Sequence, residues 1–223
     1  MLFSRTDLAE YIQDHFEPVW QEVRSVPLVH LDFGAGQRLT RTLHGNIATW
    51  VCLPDGSAAD VLPGLYEPAT YRTRLEEMAD LARNLAGTEP AARAERLRDY
   101  HRRQAAYLAD GRVPPRVGEP VDVSKRRIEV KLEVALHPEA PAPAGALPPA
   151  PPGLEAADEG FWRALAADTQ HNEGRRRRAV HELLAEVGPV RPEAITRRLY
   201  KEILGTDLDD PYLGLGTILD PKP

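Results

Sequence analysis

Between residues 46 and 64 the chain runs Asn46-Ile47-Ala48-Thr49-Trp50-Val51-Cys52-Leu53-Pro54-Asp55-Gly56 and then Val61-Leu62-Pro63-Gly64, and no other stretch restricts the fold as tightly. Ile47 to Leu53 is a short, mostly apolar run that reads as a strand. Pro54-Asp55-Gly56 is a turn, because proline presets φ and glycine accepts the positive φ that follows. Ala58 to Leu62 then closes a hairpin. Pro68 sits near the first turn of a helix that continues to about Leu85, with Tyr71, Leu75, Met78, Ala82 and Leu85 at helical spacing.

The flanks extend this pattern. Residues 5–16 read as a helix, capped by Ser4 or Thr6, with Leu8, Tyr11, Ile12 and Phe16 as its apolar stripe. Glu17 to Val23 fits either a strand or more helix. Val29, Leu31 and Phe33 alternate with His30 and Asp32, and Gly34-Ala35-Gly36 turns the chain into a second strand from Gln37 to Leu43. A charged helix spans roughly Ala91 to Ala109; its thin stripe (Leu97, Tyr100, Tyr107, Leu108) places it on the surface of the first domain. Alternation from Ile128 to Leu136 suggests a solvent-faced strand, with a helical reading open. His137 to Gly153 holds seven prolines among alanines, a composition suited to an extended, semi-rigid linker. Helices follow near Glu155–Thr169, Arg175–Val187 and Glu193–Leu204.

Composition excludes several classes. The 223 residues can bury a real core, and a net charge of −6 argues against a dedicated nucleic-acid binder. One cysteine, Cys52, rules out an intramolecular disulfide. No apolar run approaches membrane-spanning length, and the N-terminus lacks a signal-peptide pattern, so a cytoplasmic protein is expected.

Residues 4 to about 85 resemble the thioredoxin-like proteins of the UAS and protein-disulfide-reductase kind. Thr49 lies seven residues before Gly56, which matches the family spacing and puts Ala48 where the cis-proline belongs. Phe3-Ser4, Leu8, Tyr11-Ile12 and His15-Phe16-Glu17-Pro18-Val19 are similar to the stretch after the cysteines in that family. The resemblance implies a chain that begins inside the helix a Cys-x-x-Cys would open. Arg24 to Gly45 departs from it, reading as a hairpin where the family has a helix. Both the Cys-x-x-Cys and the cis-proline are missing. Disulfide exchange needs a low-pKa thiolate and a resolving thiol. Cys52, between Val51 and Leu53, reads as an inert small hydrophobe, and Trp50 as core packed on the closing helix.

Two further constellations carry chemistry. Arg175 to Arg178 and the segment Pro192 to Tyr200 could form a helix-turn-helix presenting Arg197, Arg198 and Lys201. Residues 170–205, however, hold eight Lys or Arg against five Glu, and three aspartates follow. His171, Glu173, His181, Asp207, Asp209 and Asp210 are of metal-ligating type, yet they match neither a His-Glu-x-x-His helix nor a calcium loop. Asp209-Asp210-Pro211 reads more simply as a turn or cap.

The sequence thus points to an α+β protein: a truncated thioredoxin-like domain (1–87), a charged helix-and-strand extension (88–136), a Pro/Ala-rich linker (137–153) and a small all-α C-terminal domain (154–223). The expected function is non-redox protein recognition, as an accessory or scaffold subunit without cofactor or catalytic residues. A protein partner would bind near Asn46, Ile47, Ala48, Pro63 and Gly64, or dock on Tyr212, Leu213 and Leu215, whose flanking glycines leave the backbone free to pair. The competing reading is an enzyme: a metal-dependent one using the C-terminal His and Asp residues, or a thiol reductase with a truncated start. DNA binding ranks below both.

Overall fold

The structure, a computed structural model, describes residues 5–25, 28–32, 38–42, 47–111 and 159–210. It is an α+β arrangement dominated by helices. In chain order the elements are α1 (Thr6–His15), β1 (Leu28–Asp32), β2 (Arg38–Thr42), β3 (Ala48–Cys52), β4 (Ala58–Pro63), α2 (Pro68–Leu85) and α3 (Pro90–Ala109). Then come α4 (Glu159–His171), a π-helical turn π1 (Asn172–Arg176), α5 (Arg177–Val187), α6 (Pro192–Arg198) and a second π turn, π2 (Leu199–Ile203). The expected strand at Ile128–Leu136, the linker at 137–153, Asn46 and the Tyr212–Leu215 motif lie outside the described residues. Among the described residues no helix is long and apolar enough to cross a membrane.

α1 packs Leu8 and Tyr11 inward and ends where Phe16 turns to extended backbone. Neither Ser4 nor Thr6 stands at its cap: Arg5 does, without a capping side chain, and its guanidinium pairs instead with Asp7. The following stretch, Glu17 to Val23, is neither helix nor strand. β1 pairs with β2, and β3 with β4, both antiparallel, as two separate two-stranded sheets among the described residues. The β3–β4 register sets Ala48 opposite Pro63 and Trp50 opposite Val61, with an irregularity at Val51/Cys52. Gly56 closes the turn at φ 82°, as its position after Pro54-Asp55 demands.

Every residue of β4 is buried, because the strand is covered from two directions. On one side Leu62 and Val51 join Leu8, Tyr11, Tyr66, Tyr71, Leu75 and Met78 in a core under α1 and α2. On the other, Val61 meets Val180, Leu183 and Leu184 of α5 together with Ile195, Leu199, Tyr200 and Leu204. A smaller cluster of Leu53, Ala59, Leu85 and Leu97 ties α2 and α3 to the hairpin.

This packing corrects two expectations. α3 is no bare surface helix: it lies along α5, where His101 meets His181, and it buries Leu97 with Leu53, Ala59 and Leu85. Trp50 packs half-buried against the α5–α6 cluster rather than on α2. The described helices of the expected C-terminal domain therefore share a core with β3 and β4.

Candidate functional site

Asp60 is the one carboxylate among the buried residues of β4, and its environment decides what it can do. Arg177, the first residue of α5, grips it with two parallel hydrogen bonds. Nη1 donates to Oδ1 at 2.7 Å and Nη2 to Oδ2 at 2.8 Å. The same Nη1 donates to the Val61 carbonyl at 2.6 Å, and the Val61 amide donates to Asp60 Oδ1 at 2.7 Å. Fork-to-fork geometry of this kind is the strongest form of the Arg–carboxylate pair. Both side chains are sealed from water, at 6% and 0% exposure.

One helical turn along α5, His181 projects from the same face as Arg177. Its Nδ1 lies 3.9 Å from Asp60 Oδ1 and 2.9 Å from Nδ1 of His101 on α3. Tyr100 closes the cluster edge-on to both rings, its hydroxyl 3.5 Å from Asp60 Oδ2.

Burial alone would raise the Asp60 pKa, but Arg177 first and the histidines after it outweigh that and hold the carboxyl far below its usual range. Burial likewise opposes the Arg177 charge, and Asp60 overrides it. The histidines have no such rescue. Burial pushes His101 down to about 4 and His181 well below its ordinary value, with the Asp60 charge only partly compensating. Both imidazoles are neutral at pH 7. The hydroxyls of Tyr66 and Tyr100 are raised, by burial first.

Asp60, His101 and His181 offer ligand-type atoms within 4.8 Å of one another, the one such grouping among the described residues. Ligand bonds of about 2.0–2.2 Å place two donors on one ion at most about 4.4 Å apart, and nearer 3.4 Å in a tetrahedral site. The Asp60–His181 separation of 3.9 Å and the His–His separation of 2.9 Å straddle that tetrahedral spacing, and the two Nδ1 atoms are already engaged with each other. Both Asp60 oxygens already accept from Arg177, whose fixed positive charge would repel a divalent ion. The arrangement serves better as a polar lock between β4, α3 and α5.

The residues singled out from sequence are distributed differently. Ala48 is half-buried beside the α5–α6 cluster, and Pro63 and Gly64 are buried. Gly64 (φ 81°) donates its amide to the Ile47 carbonyl at 2.7 Å, and a Cβ there would meet Asn172 Nδ2 at 2.8 Å. Asn172, itself fully buried in π1, donates to the Leu65 carbonyl at 2.7 Å and accepts from Arg176 at 2.9 Å. The face read as peptide-binding at Ala48, Pro63 and Gly64 is thus covered by the chain's own C-terminal helices.

We expect Gly64→Ala to cost about 2 kcal/mol, combining a left-handed φ with the clash against Asn172. Urea unfolding would read it. A change below about 0.5 kcal/mol would mean that π1 does not press on this turn.

The metal-type residues are scattered. Glu173 pairs with Arg74 of α2, Asp207 with Lys201, and Asp209 with Arg197. The Asp210 carbonyl accepts from Arg24, and His171 ends α4. Only His181 reaches a cluster, with two partners, Asp60 and His101, that sequence reasoning passed over. One signal was legible: a lone aspartate inside an apolar strand needs a buried cation. Cys52 is exposed at the end of β3, its thiol pushed up by local desolvation first and then by Glu193 and Asp55. Val19 (90%) and Trp20 (80%) are the most exposed large apolar side chains among the described residues. Comparison of the chain with protein-family models, characterised proteins and solved structures gives no match.

Proposed function

We propose that this chain is a non-redox protein-interaction module, an accessory or scaffold subunit built on a thioredoxin-like N-terminal unit. The observation that carries the reading is the state of its one thiol. Cys52 has no second cysteine to resolve a mixed disulfide, and its pKa is raised where a redox thiol needs it lowered. The order strand, Gly56 turn, strand, Gly64 and helix follows the order that the thioredoxin resemblance implies. Asp60 and Arg177, both strongly shifted, are occupied with each other and closed to solvent, which suits a structural lock rather than catalysis.

Because Pro63 and Gly64 lie under π1, docking falls to the segment carrying Tyr212, Leu213 and Leu215, with Gly214 and Gly216 among them. The partner is a protein, and a cytoplasmic location belongs to the same reading. Two measurements test it. Insulin reduction by the purified chain is expected to stay at the uncatalysed rate; turnover that depends on Cys52 would overturn the non-redox reading. A partner crosslinked to the full chain should be retained in chelator and lost in the Tyr212→Ala/Leu213→Ala/Leu215→Ala variant. Retention by that variant, or loss in chelator, would refute docking through this segment.

A further inference from the structure

We propose that the His101–His181 contact is an acid-sensitive latch: it holds α5 against α3 and β4 when both rings are neutral, and it opens when they take up protons. The inference stands on the packing of these elements and does not depend on the docking role proposed above. Two Nδ1 atoms 2.9 Å apart have room for one proton, carried by one ring and accepted by the other. Protonation of both rings would set N–H against N–H and place two cations in a closed interior.

The surroundings make that second charge costly. α5 brings the Arg177 guanidinium within the same cluster, and Arg74 of α2 adds a further positive field at His181. β4 supplies the one nearby carboxylate, Asp60, whose oxygens are already taken by Arg177. α3 contributes Tyr100, and the β4–α2 connection contributes Tyr66, both held neutral by burial; Glu77 of α2 acts on Tyr100 from farther off. Nothing in this set is free to neutralise an imidazolium.

The sign follows from linkage. A histidine exposed by opening protonates near its ordinary value of 6.5, whereas burial holds His101 in the closed form to about 4 and His181 well below its ordinary value. Between those values the open form binds more protons, so the closed form loses ground as pH falls. Each such group shifts the equilibrium about tenfold per pH unit, and the pair about a hundredfold. Asp60 stays ionised throughout this window, so its bond to Arg177 is not what changes.

Hydrogen exchange of the full chain between pH 7.5 and 4.5, corrected for intrinsic rates, tests the latch. Peptides from β4 and α5 are expected to open up to about a hundredfold more per pH unit below 6. In the His101→Leu/His181→Leu variant, that dependence should shrink to less than about threefold across the same range. Equal slopes in the two proteins, or an unchanged wild type, would overturn the proposal. Should the double variant fail to fold, ring-carbon NMR of the wild type decides. Both rings neutral at pH 5.5 supports the latch, and ordinary titration near 6.5 refutes it.

Discussion

Asp60→Asn will lower the unfolding free energy of this chain by about 3–5 kcal/mol, which for a protein of this size moves the melting temperature down by roughly 6–20 °C. The substitution keeps the shape of the side chain and removes the charge, leaving the Arg177 guanidinium buried with no counter-ion. Arg177→Met should cost a similar amount for the mirror reason, since it strands a carboxylate at 0% exposure. The combined Asp60→Leu/Arg177→Met chain should recover most of the loss. A buried ion pair gains little over well-packed apolar groups, because its attraction is spent against desolvation. Urea denaturation of the three variants reads all of this. Single variants within about 1 kcal/mol of wild type would mean that the pair is wetter than its geometry implies.

Cleaving the chain between α3 and α4 is expected to leave the two pieces together. A protease site inserted at Gly145, in the Pro/Ala-rich stretch, makes the cut. After complete cleavage the fragments should co-elute at micromolar concentration and part only in denaturant. The reason is the interface between them. Val61, Ala48 and Trp50 pack on Val180, Leu184, Ile195 and Leu199, the Asp60–Arg177 pair crosses the same boundary, and Asn172 holds the Leu65 carbonyl. Either piece alone would expose half of an apolar core and one unpaired buried charge. Fragments that separate on size exclusion and unfold cooperatively by themselves would instead establish two independent domains, as the linker composition suggested.

Local structure was legible wherever one chemical rule acted within a few residues. Pro68 to Leu85 is the helix that proline at the first turn and the Tyr71-Leu75-Met78 spacing require. The β3–β4 hairpin follows from the Pro54-Asp55-Gly56 turn, and α6 starts at Pro192 as expected. The C-terminal helices were located to within a few residues, although the π turns at 172–176 and 199–203 had no signature in the residue pattern.

The site was hidden for a different reason. Asp60 and Arg177 are 117 residues apart, and His101 and His181 are 80 apart. Arg177 sits in a run of four arginines that reads as a solvated face, and His101 sits in a helix dominated by charge. Periodicity reports which face of an element is apolar, not which element will cover it.

The sequence by itself thus determined the type and order of most described elements and the lack of a second cysteine, because these depend on backbone preference and on composition. Only the tertiary structure decided that α5 and π1 close over the hairpin, burying Pro63 and Gly64 and locking Asp60 to Arg177. That outcome arises from long-range burial. A β4 strand apolar along nearly its whole length cannot leave either face in water, and a carboxylate within it must find a cation wherever the chain can bring one.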